Sequence, residues 1–535
     1  MCSFRCLARL VGLSLLSGMV VECLVGCGSS APPEAASPAA QTTPASPPAT
    51  TSPQPTPPQP SPPTTGKTAA VAPPEAPVEA PRESEIGSLQ GDSTTVPKKP
   101  RPAGRKLGEL LPADMQEAAE KDRPLKHEPL SPERAAAAGL RRLESQHLVL
   151  YTDVPSSPAV DELPQAFDLA VPQWCKYFNV PAEKVSEWKL TGYLMEDVAR
   201  FRAVEAIPTF ITEIANGYQW DDELWVKEQS TDYYRRHLLL HEGTHSFMVR
   251  FLGGFGPPWY GEGMAELLAT HRWADGRLQL GYQPRDSEEV PGHGRIKILR
   301  DDFKAGVGRS LEAVFQYDSQ AHLDVKPYGW CWAAASFLSV HPQTRESFRE
   351  VQAHARDGGL DFTRRFLEPI AADWNAISED WQLYIAEAEY GYDFERARVR
   401  RKASEPLTGA EVRVKIAADA GWQSTGVTLQ PGVAYEIAAV GRFQIVGGEP
   451  AWWSEPQGVT IRYYRGQPLG MLLGAVRPDS FIPNILTPLA NPTPIGRKKL
   501  LTPDAAGTLY LKINESPADL ADNTGEVLIR IRPAP

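Results

Sequence analysis

Cysteine is scarce in this 535-residue chain, and its placement is uneven. Of six cysteines, Cys2, Cys6, Cys23 and Cys27 fall at the N-terminus, which leaves Cys175 and Cys331 for the rest of the chain. Two thiols exclude a disulfide framework. They either pair with each other, which export permits, or stand as separate buried thiols. A basic surplus is also missing: the formal net charge of −11 argues against a nucleic-acid partner. That acidic balance bears on solubility rather than fold. No helical or solenoid repeat is visible. The apolar run from Leu10 to Val21 is too short to span a bilayer, which takes roughly 20 residues.

Arg5 and Arg9 precede that run, and the combination reads as a signal peptide over residues 1–27. Leu24-Val25-Gly26-Cys27 resembles the end of a bacterial lipoprotein signal, with Glu22 as a departure from the pattern. The resemblance implies that Cys27 is lipidated and becomes the mature N-terminus. An ordinary secretory signal cleaved nearby is the alternative. Both place the protein outside the cytoplasm, at the cell envelope, and the first anchors it to a membrane through lipid. Residues 28–105 are rich in Pro, Ala, Ser and Thr and hold almost no large apolar side chains. Such a segment cannot bury enough surface to offset the entropy of ordering, so a disordered tether is expected. A glycosylated stalk stays open.

Folded sequence is expected from near Ser131. Residues 145–153 and 187–195 read as strands, and 217–228 as a hairpin turning at Asp221-Asp222. Residues 159–178 have helical spacing that Pro164 and Pro172 are expected to break. A helix capped by Ser230 or Thr231 comes next, then more helical pattern around "YGWCWAAASFLSVH" and "DWNAISEDWQLYIAEAEYGY". Beyond Arg401 the pattern becomes short strands punctuated by Gly, Pro and Asn, the mark of an all-β sandwich. The expectation is an α+β chain, with one domain over 130–400 and a β-sandwich over 405–535.

The chemistry concentrates in "HLLLHEGTHSFMVRFLGGFGPPWYGEGMAELLA", residues 237–269. His241-Glu242-Gly243-Thr244-His245 matches H-E-x-x-H. Two imidazoles at i and i+4 share one helix face and can converge on one cation, expected to be zinc. Glu242 then flanks the metal as a proton acceptor for an activated water. A catalytic zinc takes three protein ligands. Glu262 and Glu266 repeat the i, i+4 spacing just downstream. Glu262 is the expected ligand and Glu266 the acceptor for a ligand imidazole N–H, with the reverse assignment open. His237, one turn earlier, either lines the cleft or makes a simple polar contact.

At these residues the chain resembles the gluzincin metallopeptidases, and more narrowly the peptidase MA-like bacterial proteins related to the aminopeptidase N clan. There H-E-x-x-H is followed by W-x-x-E-G-x-A-E, matched by Trp259-Tyr260-Gly261-Glu262-Gly263-Met264-Ala265-Glu266. The resemblance covers roughly residues 140–395. It implies a thermolysin-like fold, a small mixed sheet plus helices, and zinc-dependent hydrolysis of peptide or protein substrates. It also implies Glu262 as ligand and a tyrosine near the start of a later helix for the oxyanion, a position held here by Tyr328. A packing tyrosine beside Trp330 and Trp332 is the alternative. The clan's amine-gripping G-x-M-E-N motif is missing between Trp188 and Arg236, which favours endopeptidase over aminopeptidase action.

"WQSTGVTLQPGVAYEIAAVGRF" (422–443) and "INESPADLADNTG" (513–525) resemble the bacterial calcium-dependent galactose-binding lectins. The second stretch matches their calcium loop, which implies that Glu515, Asp519, Asp522 and Asn523 hold Ca2+, and that carbohydrate is a further partner. Hard oxygen ligands suit calcium; an acidic turn without metal is the alternative. The combined expectation is an exported, envelope-tethered zinc endopeptidase with a lectin-like sandwich. The rival is a non-catalytic carbohydrate-binding envelope protein on an inert peptidase scaffold.

Overall fold

Apolar runs bounded by turn residues build the first layer. In the computed structural model, which describes residues 127–318, 324–357, 359–482 and 485–534, five strands form one sheet. The expected signal peptide, Cys27 and the tether over 28–105 lie outside the described residues. The strands are β1 (Arg141–Glu144), β2 (Leu148–Thr152), β3 (Leu190–Met195), β4 (Gly217–Trp220) and β5 (Glu223–Lys227), in the order β1-β2-β3-β5-β4. The central β2, β3 and β5 are parallel, and β1 and β4 join antiparallel at the edges. Largely buried β2, β3 and β5 fit a sheet covered on both faces. Asp221, at φ 51°, makes the β4–β5 turn.

Six helices position the site and join it to the C-terminal region: α1 (Leu163–Phe178), α2 (Asp232–Leu252), α3 (Pro258–Ala269), α4 (Arg295–Lys304), α5 (Val325–Val340) and α6 (Trp374–Ala386). The prolines do not break α1 as the sequence suggested. Pro164 sits in its first turn, where no N–H is needed, and Pro172 lies inside an unbroken helix. The lost hydrogen bond at Pro172 is outweighed by the buried face of Phe167, Ala170, Val171, Trp174 and Phe178. Helix α2 starts at Thr231, whose Oγ1 accepts from the Tyr234 amide at 3.1 Å, and stops at Gly253, φ 83°. It lies against β4, β5 and α3, and α3 lies against α5. The α3–α5 crossing is tight because position 263 is glycine: a Cβ there would sit 2.9 Å from the Cys331 carbonyl oxygen. A two-stranded hairpin, β6 (His271–Ala274) and β7 (Arg277–Leu280), comes after α3.

The C-terminal region is β-rich. One sheet runs β14 (Gln457–Tyr464), β15 (Gln467–Arg477), β18 (Gly507–Ile513), β10 (Gln423–Leu429), β8 (Glu405–Pro406), with β16 (Thr493–Pro494) on β15. The other runs β17 (Lys498–Leu501), β11 (Tyr435–Val440), β19 (Glu526–Pro533), β9 (Val412–Ala417). A short pair, β12 (Phe443–Val446) and β13 (Trp452–Ser454), completes it. Ile437, Leu472, Leu509, Leu511, Ile529 and Ile531 belong to one apolar core of this region.

The helical and β-rich regions share a seam. Leu383 of α6 and Val399 cluster with Trp422, Leu473, Leu489 and Tyr510. Beside them the buried Glu379 carboxylate accepts from Arg401 Nη2 at 2.8 Å, Arg477 Nε at 2.8 Å and Thr487 Oγ1 at 2.9 Å. Cys175 and Cys331 are separate buried thiols. Among the described residues no helix is long and apolar enough to cross a membrane.

Candidate metal centre

Helix α2 carries His241, Glu242 and His245 on its buried side, and α3 crosses it with Glu262 and Glu266. Three atoms converge. His241 Nε2 lies 3.2 Å from His245 Nε2, and Glu262 Oε2 lies 3.3 Å and 3.4 Å from them. A tetrahedral cation bonded at roughly 2.0–2.1 Å separates its ligands by about 3.3–3.4 Å, so this triangle has the size of one tetrahedral face. Glu262 Oε2 is buried with no hydrogen-bond partner, and the two Nε2 atoms stand at a distance that either one shared proton or a bound cation fills. The donor set, two imidazoles and a carboxylate, suits a borderline-soft divalent ion. His241, His245 and Glu262 therefore form a group fit to hold a metal.

The surrounding charges keep the group poised. Burial works against ionisation of Glu262, yet His245 and His241 hold its carboxyl below the usual range. Burial raises the proton affinity of Glu242, against the pull of His241 and His245. A carboxylate with raised proton affinity beside a metal is a competent base. Glu242 owes its position to strand β4: a Cβ on Gly217 would lie 2.9 Å from the Glu242 carboxyl carbon, inside contact distance. The outer edge of β4 carries no partner strand among the described residues. Tyr328, near the start of α5, has its ring 5.9 Å from that of His241. Burial, then the charges of Glu262 and Glu242, keeps its phenol protonated.

Glu266 lies on the other side of His241, with Oε1 3.2 Å from Nδ1 at an angle that falls short of a hydrogen bond. Behind it, His237, Glu266 and His293 make a second group of three ligand-type side chains. A cation already serves that group, because Arg295 donates to both Glu266 oxygens, at 2.8 Å and 2.9 Å. Burial holds His237 and His293 below their usual proton affinity, hence neutral. His237 lines no cleft. It is fully buried, and its Nδ1 donates to the Ala269 carbonyl at 3.0 Å.

Three contributors escaped the sequence reading. Arg295 and His293 arrive from distant chain positions, and no spacing rule links them to α2 or α3. Gly217 carried a signal, since a lone glycine in a strand marks a close approach of another group.

The acidic loop of the β-rich region is divided. Glu515 and Asn523 are each 3% exposed, and Glu515 Oε2 and Asn523 Oδ1 are buried without partners. Burial pushes the Glu515 carboxyl up to about 8, reinforced by Asp519. Asp519 itself faces solvent and pairs with Arg462 at 3.3 Å, and Asp522 Oδ2 accepts from the Gly447 amide at 2.8 Å. Among the described residues Glu515, Asp519 and Asp522 do not close into a tight trio as the histidine and glutamate groups do. The arginine and the amide draw two of them away.

No family model matches the chain, and no curated protein matches it. Among solved structures, one described as "EclA N-terminal domain; PllA-like lectin" is similar at 22% identity. It covers 23% of this chain and 98% of its own, with a TM-score of 0.18.

Proposed function

We propose that the chain is an exported zinc-dependent endopeptidase, tethered to the cell envelope, that carries a lectin-like β-sandwich. The carrying observation is the triangle of His241 Nε2, His245 Nε2 and Glu262 Oε2, with edges of 3.2, 3.3 and 3.4 Å. Zinc, when bound there, supplies Lewis acidity and makes water nucleophilic at neutral pH. Glu242 takes the water proton and delivers it to the leaving amine, a task suited to a buried carboxylate of raised proton affinity. The protonated Tyr328 phenol donates to the oxygen where negative charge develops. An extended substrate pairs with the open edge of β4, which runs past Glu242 at Gly217. In the sandwich, Glu515 Oε2 and Asn523 Oδ1, each buried without a partner, are the oxygen atoms offered to calcium.

The test is metal analysis joined to unbiased cleavage profiling. Wild-type protein binds one zinc in the catalytic half and cleaves peptides, and Glu242→Gln retains zinc and loses turnover. A fully active Glu242→Gln protein sinks the mechanism, and a wild type with no zinc affinity sinks the site. Zinc binding without cleavage of any library peptide would favour the inert-scaffold reading.

A further inference from the structure

The metal centre is braced from behind by a side chain outside every motif. Arg295 opens α4 and is almost fully buried. Its Nε donates to Glu266 Oε2 at 2.8 Å and its Nη2 to Oε1 at 2.9 Å, a planar fork on a carboxylate. Glu266 is 1% exposed. A carboxylate that deep stays ionised only beside a partner charge. The same guanidinium lies 5.9 Å from the Tyr328 ring centroid, and its Nη2 reaches the Tyr234 hydroxyl at 3.4 Å. One cation thus faces the carboxylate behind His241 and the ring of Tyr328.

We propose that Arg295 is a positioning residue of the metal centre, clamping Glu266 so that His241 presents Nε2 to the ion in one fixed orientation. This rests on the zinc reading of His241, His245 and Glu262. The reason is geometric. Glu266 Oε1 has two nearby imidazoles, His241 Nδ1 at 3.2 Å and His237 Nε2 at 3.5 Å. His237 keeps its proton on Nδ1 for the Ala269 carbonyl and offers no donor at Nε2, so a carboxylate free to turn would swing Oε1 away from His241 Nδ1. The two parallel N–H bonds of a guanidinium leave it a single plane. With that plane fixed, Oε1 stays beside Nδ1, and a proton on Nδ1 directs the Nε2 lone pair toward His245 and Glu262. A lysine at 295 would supply the charge without the plane.

The experiment measures zinc affinity of the full chain by chelator competition, with melting of the zinc-free protein as the folding control. Four proteins are compared: wild type, Arg295→Lys, Arg295→Met, and the double variant Glu266→Gln/Arg295→Met. The double variant removes both buried charges together and so keeps the fold testable where Arg295→Met alone fails. Arg295→Met is expected to bind zinc about 10–100-fold more weakly, the usual effect of losing a group that supports a ligand. Arg295→Lys falls between it and wild type. The double variant melts near wild type when zinc-free and binds at least about tenfold more weakly, because the whole Glu266–Arg295 support is gone; Arg295→Met and Arg295→Lys, which leave Glu266 in place, separate the clamp from a purely structural arginine. Zinc affinity within about twofold of wild type, in Arg295→Met or in a folded double variant, overturns the inference while leaving the zinc reading intact. A wild-type protein without zinc affinity overturns both.

Discussion

Replacing Gly217 by alanine adds one methyl group at the back of the proposed base. The backbone there needs no left-handed conformation, so strain does not enter. The new Cβ would stand 2.9 Å from the Glu242 carboxyl carbon and 3.0 Å from its Cγ. Ordinary carbon contacts begin near 3.4 Å. The side chain must therefore retreat by about 0.5 Å at its carbon and by more, roughly 1 Å, at the oxygen nearest the strand. Displacing a catalytic group by about 1 Å costs on the order of 100-fold in rate, or about 2.7 kcal/mol of barrier. Stability should change little, because alanine also gains roughly 0.5–1 kcal/mol over glycine in a strand. The assay is kcat on a peptide found by cleavage profiling, with zinc content and melting measured on the same preparation. The expected result is kcat down about 100-fold at full zinc occupancy and near-normal melting. A Gly217→Ala protein with kcat within about threefold of wild type would falsify the steric role of the missing methyl.

Three further outcomes rest on particular contacts. Glu242→Gln, isosteric and neutral, should retain zinc while turnover falls by at least about 100-fold, measured by metal analysis and kcat. Glu515 stays protonated in the folded, calcium-free chain up to about 8, against 4.5 for an unperturbed carboxyl. The unfolded chain therefore loses this proton first, and its contribution to stability falls between those pH values and levels off above them. In chelator, wild type should lose up to about 1.4 kcal/mol per pH unit in that window relative to Glu515→Gln. Added calcium should reverse the loss, and identical slopes in the two proteins would remove the basis of the prediction. Glu379→Ala should destabilise the protein by about 3 kcal/mol, the low end for a broken buried pair because its arginines keep 16% and 26% side-chain exposure. Thermal melting checks it, and a change under about 1 kcal/mol would mean the arginines find other partners.

What the sequence revealed of the site was what helix geometry makes local. His241 and His245, and again Glu262 and Glu266, share a face because four residues nearly complete a turn. The Thr231 cap and the Asp221-Asp222 turn were legible for the same reason, since each acts within a few residues. Whatever depends on two distant segments meeting stayed hidden. Arg295 lies 29 residues beyond Glu266 and enters the site only because α4 packs against α5, which itself lies on α3. Pro172 misled because its local cost is real, but the tryptophan and phenylalanine faces of α1 outweigh it. The loop at 515–523 reads as four ligands side by side in sequence. In space Arg462 and the Gly447 amide, both remote in the chain, redirect Asp519 and Asp522.

The shared seam has a thermodynamic consequence for cooperativity. Leu383 and Val399 are buried against Trp422, Leu473 and Tyr510, and Glu379 answers two arginines at once. Parting the two regions would bare that apolar cluster and strand a carboxylate, so neither unfolds cheaply while the other stays whole. Heating should then give one calorimetric transition, not two. Within a single transition, any ligand of the sandwich protects the whole body, by RT ln(1 + [L]/Kd), and at a hundredfold excess over Kd that is about 2.7 kcal/mol. Occupancy at one end of the protein would thus lengthen the working life of the other without touching a residue of the candidate metal centre.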